Sequence, residues 1–506
     1  MIKTQNLFRL KSLTLKDSPD FEEGNFEFSN EGTVGKLPFT TLVIGANGTG
    51  KSRLLRAIID IFNDLFNYKQ SGTPDFKFNH YYNLKYFLDN DLYEIENIKE
   101  ALVIKRNGDN LNDFYQTLLP LKGIAAAYSL YEKFTPKESS YFMKQSKRSR
   151  YENNFYEYLG IKTNRNYTFS SANINNSIDL ITGALAEKGF EKDLKAVFNV
   201  LGFVPKISIS YQVKRNRMLF TGNITSDNLK EILESIKYRS AGFSYSSIQN
   251  LKEASEADIE TVVYSLNEAA RFLGDKLKLP VDLFFDESKD SYFVSLYTHL
   301  VTLRKLNLIN YDKITVYKKV KNNPDGFPIE LRTMSSGEIQ ILTSLLSLAS
   351  VVTDKSMILI DEPEISLHPN WQMQYIDLLN KIFRSSSSCH FIIATHSHLL
   401  ASDIPADSSA ILSLTRNNKL ELNSELIDST YGHSAENILY NTFGVATVRN
   451  HYFESDINRL LYLMSSKSKK KSEIEELIKK FMQFKMTAND PLNIVIKDAE
   501  KYIEKL

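Results

Sequence analysis

The chain has 506 residues, 42% hydrophobic and 24% charged, with 62 Lys and Arg against 61 Asp and Glu for a net charge of +1. Roughly two to four structural units fit that length, and the balanced charge excludes a global field that would draw nucleic acid or a membrane surface. A single cysteine, Cys389, excludes a disulfide framework and a multi-cysteine zinc site.

In chain order, Leu7 to Leu15 alternates as a strand, Asn25 to Phe28 predicts a second, and Thr40 to Ile44 a short buried third. The opening MIKTQNLFRL lacks the apolar core of a signal peptide, and no apolar run is long enough to span a bilayer, so the chain reads as cytoplasmic with no membrane partner. A helix follows from about Lys51 to Asn67, with Leu54, Leu55, Ile58, Ile59, Phe62, Leu65 and Phe66 at helical spacing. From about Gly72 to Leu306 the character changes. Leu121 to Ala127 returns to the sheet, its three alanines suiting a crowded strand, and the basic stretch Pro136 to Arg150 reads as an exposed loop.

Helical patterns then run over Ile178 to Gly189, Asn228 to Tyr238, Ala257 to Leu277 and Tyr292 to Leu306. They predict a helical insertion, and without sustained heptads it is no coiled-coil arm. Strands return at Ile314 to Val320 and Phe327 to Arg332 around the turn signal Asn322-Asn323-Pro324-Asp325-Gly326. Helix and strand alternate to about Glu425, and the remainder reads as helical, with Ser472 and Glu475 as a capping box.

The chemistry lies in motifs spread over both halves. Gly45-Ala46-Asn47-Gly48-Thr49-Gly50-Lys51-Ser52 follows a strand and opens a helix, the setting in which backbone N–H groups and the helix dipole converge on phosphate oxygens. Lys51 is expected to reach the β- and γ-phosphates, and the Ser52 hydroxyl to ligate Mg²⁺. Asn47, Gly48, Thr49, Gly50, Lys51, Ser52 and Arg53 are the expected nucleotide contacts on this side. Met357 to Asp361 is an apolar strand ending in acids. Asp361 is placed to hold the Mg²⁺ water shell, and Glu362 to polarise a water for in-line attack on the γ-phosphate.

Met334-Ser335-Ser336-Gly337-Glu338 precedes an apolar helix, and Phe391-Ile392-Ile393-Ala394-Thr395-His396 is a buried strand ending in histidine. With these four motifs in this order the chain resembles the ABC ATPase superfamily. The resemblance implies an ABC-ATPase head: an α/β mixed sheet with a P-loop core, a large helical insertion and a helical tail. It further implies that Ser335, Ser336, Gly337 and Glu338 form the signature that contacts a partner subunit's nucleotide, and that His396 is a switch histidine sensing the γ-phosphate. Glu364 to Pro369 resembles the loop that crosses the dimer interface, with His368 where transporters usually carry Asp, as in RecF- and OLD-like ATPases. The family's Mg²⁺-ligating Gln has no clear match; Glu132 and Gln116 are the candidates. The implied boundaries are 1–135 for the first lobe, 136–307 for the insertion, 308–425 for the second lobe and 426–506 for a partner-docking tail.

One phosphate loop and one signature per chain imply a homodimer, or a higher even oligomer, closed on ATP and Mg²⁺ and released by slow hydrolysis. The insertion argues against a transporter, and no Asp-x-Asp pair follows His396 to supply a nuclease centre. Tyr431 to Leu439 and Phe443 to Asn450 resemble the post-ATPase segment of the PtuA family of the Septu anti-phage system and its retron-associated relatives. That family implies an HNH nuclease partner (PtuB) and, in retron forms, a reverse transcriptase with its msDNA. Basic clusters at Lys144, Lys147, Arg148 and Arg150, at Lys214, Arg215 and Arg217, and at Lys467, Lys469, Lys470 and Lys471 allow nucleic-acid contact. A RecF-like DNA clamp without an effector, and an ATP-dependent dimer that does not turn over, are the alternatives.

Overall fold

The computed structural model describes residues 7–29, 36–98, 101–129, 133–135, 155–160, 170–186, 190–213, 217–235, 251–252, 254–272, 278–284, 291–306, 308–402, 404–416, 422–427, 451–466, 470–483 and 492–504. Glu132, the cluster Lys144 to Arg150, Lys214, Arg215, Lys467, Lys469 and the two tail stretches between Tyr431 and Asn450 lie outside them. The chain divides into two compact units, Met1–Ile438 and Leu439–Leu506.

The strands of the first unit are β1 (Phe8–Lys16), β2 (Glu23–Glu27), β3 (Phe39–Gly45), β4 (Tyr81–Leu88), β5 (Asp91–Ile98), β6 (Ala101–Arg106), β7 (Asp109–Asn110), β8 (Gly123–Ala127), β9 (Tyr156–Tyr158), β10 (Phe203–Gln212), β11 (Lys278–Phe284), β12 (Asn310–Val320), β13 (Asn323–Glu330), β14 (Met357–Asp361), β15 (His390–Ala394), β16 (Ser409–Arg416) and β17 (Leu422–Ile427). They form three sheets, ordered β17-β16-β3-β15-β14-β8-β9, β2-β1-β4-β5-β6-β7 and β11-β10-β12-β13. In the first, all pairings are parallel except that of β16 with the edge strand β17. The other two are antiparallel. The α/β architecture with a mixed sheet and P-loop core expected from the sequence is therefore the one observed.

The phosphate-loop helix, Lys51–Ser71, explains why two sheets face each other. Leu54, Leu55, Ala57, Ile58, Ile59, Ile61, Phe62 and Leu65 are buried, more than one face of a helix can present, so it must be covered on two sides. Phe62 stacks edge-on against Phe8 of β1 and Tyr86 of β4, while Ile59 reaches across to Gly123 of β8, where any Cβ would come within 2.6 Å of it. The helix thus lies between the parallel sheet and the six-stranded one within one apolar core.

His390 fastens these sheets together. It is fully buried at the start of β15; Leu10 N donates to its Nδ1 at 3.0 Å, and its Nε2 lies 2.8 Å from Thr41 Oγ1, which donates to Phe28 O. Because Nδ1 accepts, the proton sits on Nε2 and the ring is neutral; burial, then the nearby Arg9, hold its pKa well below the ordinary 6.5. A histidine kept neutral when folded but free to protonate when unfolded contributes stability that is present above pH 6.5 and lost as pH falls. Unfolding free energy is expected to fall by about 1.4 kcal/mol per pH unit on this account below that value. The slope should flatten by one proton in His390→Gln, read from urea melts at pH 5 to 7.5.

Residues 136–307, expected as an insertion, carry the expected helices at Ser170–Ala186, Ser226–Ser235, Glu256–Arg271 and Ser291–Lys305, with a further helix at Glu191–Val200. They also carry β10 and β11, which the sequence reading passed over; with β12 and β13 these strands build the four-stranded sheet. Arg304 ties their core, pairing with Asp179 at 3.4 Å and lying over the Tyr311 ring.

The second unit contains three described helices, His451–Ser465, Lys471–Met482 and Leu492–Glu504, around Leu460, Leu463, Ile474, Ile478, Phe481, Leu492, Ile496 and Ala499. The expected capping box at Ser472 is not formed. The middle helix starts two residues earlier, at Lys471 with Lys470 as N-cap, and has no side-chain cap. Its first-turn Glu473 instead takes Arg459 at 2.7 Å and Lys470 at 3.3 Å, so its charge favours the N-terminus without a serine cap. Among the described residues, no helix is long and apolar enough to cross a membrane.

Candidate nucleotide site

Parallel pairing brings the separated motifs to one edge. Asp361 of β14 is level with Ala394 of β15, which is level with Val43 of β3. The phosphate loop, Glu362 and His396 therefore all leave the sheet at its carboxyl edge, the usual ligand edge of such sheets.

Gly45, Gly48 and Gly50 have φ of 152°, 82° and 102°. At Gly45 a Cβ would sit 2.3 Å from the Leu414 carbonyl oxygen, so glycine is needed both for the turn and for the approach of β16. Ala46, Asn47 and Gly48 are exposed at the loop's crest, whereas Thr49 is buried and donates to Ala46 O at 2.9 Å. Lys51 is only 4% exposed; its Nζ donates to Gly45 O at 2.8 Å and Ala46 O at 3.2 Å. Burial lowers its pKa to about 8, opposed by the charges of Glu362, Asp361 and Glu364. Arg53 is exposed and pairs with Asp20 at 3.4 Å.

Ser52 Oγ donates to Asp361 Oδ1 at 2.9 Å. Asp361 is 2% exposed, and burial, with smaller contributions from Glu362 and Glu364, raises its carboxyl to about 7 against the Ser52 hydrogen bond. A buried carboxylate and a hydroxyl at this separation are hard oxygen donors that suit a Mg²⁺ ion shared with phosphate, and a bound cation would favour the ionised carboxylate. Glu362 follows with φ of 52°, a left-handed conformation unusual for a non-glycine residue, while its N–H donates to Ala394 O at 2.9 Å. This bend turns its side chain towards His396, whose Nε2 lies 3.5 Å from Glu362 Oε1. The other ring nitrogen, Nδ1, is 3.2 Å from Lys51 Nζ. Burial and then the Lys51 charge lower the His396 pKa to about 4, which keeps the ring neutral and leaves Nδ1 able to accept.

The signature residues start a second helix, Ser336–Ala349. Ser335 is its N-cap, accepting from Glu338 N, while Glu338 accepts from Ser335 N at 3.1 Å in a full capping box. Ser335 and Ser336 are exposed. Among the described residues no hydrogen bond joins either serine to the phosphate loop. Gly337 has a different reason to be glycine: a Cβ there would lie 2.7 Å from Ser366 O. Within the loop 364–368, His368 is exposed and caps the helix Pro369–Ile382, accepting from Asn370 N at 3.3 Å.

Of the two candidates for the missing glutamine, Gln116 is removed by its position. It follows Phe114 and Tyr115, which touch Tyr68 and the Gly72 cap at the C-terminal end of the phosphate-loop helix. A helix of 21 residues places that end about 30 Å from the phosphate loop. The residue sequence reasoning missed is Glu364, whose Oε1 accepts from His396 N at 2.6 Å. The sequence marked it only as the first residue of the loop Glu364 to Pro369 and as a third acid two positions after the Asp361-Glu362 pair.

Residues 10–401 match the AAA ATPase domain family. The chain belongs to that family. Its phosphate loop, acidic strand and signature all fall within the matched span. Protein ea59 of Escherichia phage lambda is 35% identical over 81 residues, 16% of this chain and 15% of that protein, so the chain matches far less than half of this curated relative. Among solved structures, the SMC head domain from Thermotoga maritima aligns with 14% identity and a TM-score of 0.31 over 83% of this chain and 98% of that one. The recombination mediator RecF with ATP aligns with 14% identity and a TM-score of 0.28 over 84% and 100%.

In this AAA ATPase the residues can divide the work of hydrolysis. The loop N–H groups and Lys51 are placed so that they can bind and orient phosphates, Glu362 can take a proton from an attacking water, and neutral His396 lies between Lys51 and Glu362. Mg²⁺, when held by Ser52 and Asp361, supplies charge neutralisation on the phosphate oxygens.

Proposed function

We propose that this chain is an ABC-type ATPase that closes head to head on two ATP molecules and, as a subunit of a bacterial anti-phage defence complex, gates a partner effector nuclease. The observation that carries the dimer is the signature: Ser335 and Ser336 are exposed at a capped helix N-terminus and bonded to nothing in the chain's own phosphate loop. Such an end favours an anion, and a second copy offers one. The loop 364–368, tied to the same helix, supplies the crossing element. Resemblance to the PtuA family supports the choice of an HNH nuclease as the effector, the 426–506 tail as its docking segment, and a reverse transcriptase with msDNA as further partners in a retron setting.

The test is affinity capture of the tagged full chain expressed with its neighbouring genes, paired with light scattering of the pure chain. Mass doubling with Mg-ATP and a co-purifying small nuclease are the expected results. A chain that captures no protein yet binds DNA only with ATP would replace the effector reading with a DNA clamp, and a mass unchanged by nucleotide would overturn the dimer.

A further inference from the structure

Glu364 lies at a junction of three motifs. Its Oε1 accepts from the backbone N–H of His396 at 2.6 Å. Its Oε2 is buried and, among the described residues, makes no hydrogen bond of ordinary geometry. Burial, the largest cause, raises its carboxyl above the ordinary range, so what Glu364 offers the His396 N–H is a fixed acceptor in a water-poor site.

The loop that Glu364 begins is held from both sides. On one, Gln340 of the signature helix donates to Ile365 O at 2.7 Å, and Gly337 leaves room for Ser366 O. On the other, Gln372 donates to Leu367 O at 2.9 Å and accepts from Ser397 Oγ at 2.7 Å. Residues 395–397 and the signature helix are thus two ends of one hydrogen-bonded strut, and Glu364 is the bond nearest the reacting centre.

We infer that Glu364 is a positioning residue for hydrolysis: by gripping the His396 backbone it fixes the ring between Lys51 and Glu362, and through residues 365–367 it makes that placement depend on where the signature helix stands. The inference rests on the reading of this site as an ATP-hydrolysing one. The ring bridges 3.2 Å to Lys51 and 3.5 Å to Glu362, so a shift of about 1 Å in its backbone would break one contact or the other; such misplacements cost on the order of a hundredfold in rate.

Steady-state hydrolysis by the full chain tests it with four proteins: wild type, Glu362→Gln, Glu364→Ala and Glu364→Gln. Wild-type turnover that Glu362→Gln abolishes establishes the underlying reading by itself. Glu364→Ala is then expected to lower kcat at least about tenfold with KM for ATP changed less than about threefold, and with a melting temperature near wild type. Glu364→Gln, which keeps an acceptor for His396 N, is expected to recover kcat to within about threefold of wild type. A wild-type kcat in Glu364→Ala would overturn the proposal while leaving the ATPase intact. So would a loss of kcat accompanied by an equal rise in KM and a fall in melting temperature, or a glutamine variant no better than alanine.

Discussion

Glu362→Gln is expected to abolish turnover while preserving ATP binding. The substitution keeps shape and removes the only property a water-activating group needs, the ability to take a proton. Glu362 is placed for that role by its backbone: the left-handed φ of 52° and the bond from its N–H to Ala394 O turn it off β14 towards the sheet edge where the phosphate loop lies. General-base catalysis contributes about 10²–10⁴ in rate, so kcat should fall by about that much in a phosphate-release assay. Because the phosphate loop and the signature are untouched, the same variant should accumulate as an ATP-bound dimer, seen by light scattering as a mass that persists where the wild-type mass decays. Turnover left at the wild-type rate would show that another group activates water and that Glu362 serves only structure.

Lys51→Ala should have the opposite signature, losing nucleotide before chemistry is reached. The ammonium is buried, and in the free chain it bonds to Gly45 O and Ala46 O. Its pKa, lowered to about 8 by burial, indicates a cation short of solvation. Such a group gains by exchanging carbonyl partners for phosphate oxygens, and charge-assisted hydrogen bonds are worth about 1.5–3 kcal/mol each. Removing it should weaken ATP about a hundredfold. At a fixed ATP concentration a stabilisation of about 2.7 kcal/mol, the value at a hundredfold excess over Kd, would shrink to a few tenths. The measurement is the melting-temperature shift with Mg-ATP: clear for wild type and Glu362→Gln, absent for Lys51→Ala.

Some of this was legible because it is local. A phosphate loop is made by backbone conformation over eight consecutive residues, and its glycines announce that conformation wherever the chain folds. The buried strands β3, β8, β14 and β15 were equally readable, being short apolar runs bounded by turns or acids. Other local signals were present and passed over: Tyr82, Leu84, Tyr86 and Leu88 alternate with half-buried neighbours along β4, and Ile207, Ile209 and Tyr211 do the same along β10.

What the tertiary structure alone decided concerns distance between remote residues. Gln116 was a plausible metal ligand by position in the chain, and it is excluded because the phosphate-loop helix carries the neighbouring chain to its far end. The six- and four-stranded sheets arise from pairings such as that of β10 with β11, whose partners Ile209 and Val281 are remote in sequence, and no periodicity states which strands pair. Glu364 could be read as an acid in a loop, but its grip on His396 follows from the parallel register of β14 with β15, which sets both loops at one edge. Backbone conformation and amphipathic pattern are properties of neighbouring residues, so sequence determines them directly. Register and side-chain contact depend on which distant surfaces bury one another, and only the folded chain settles that.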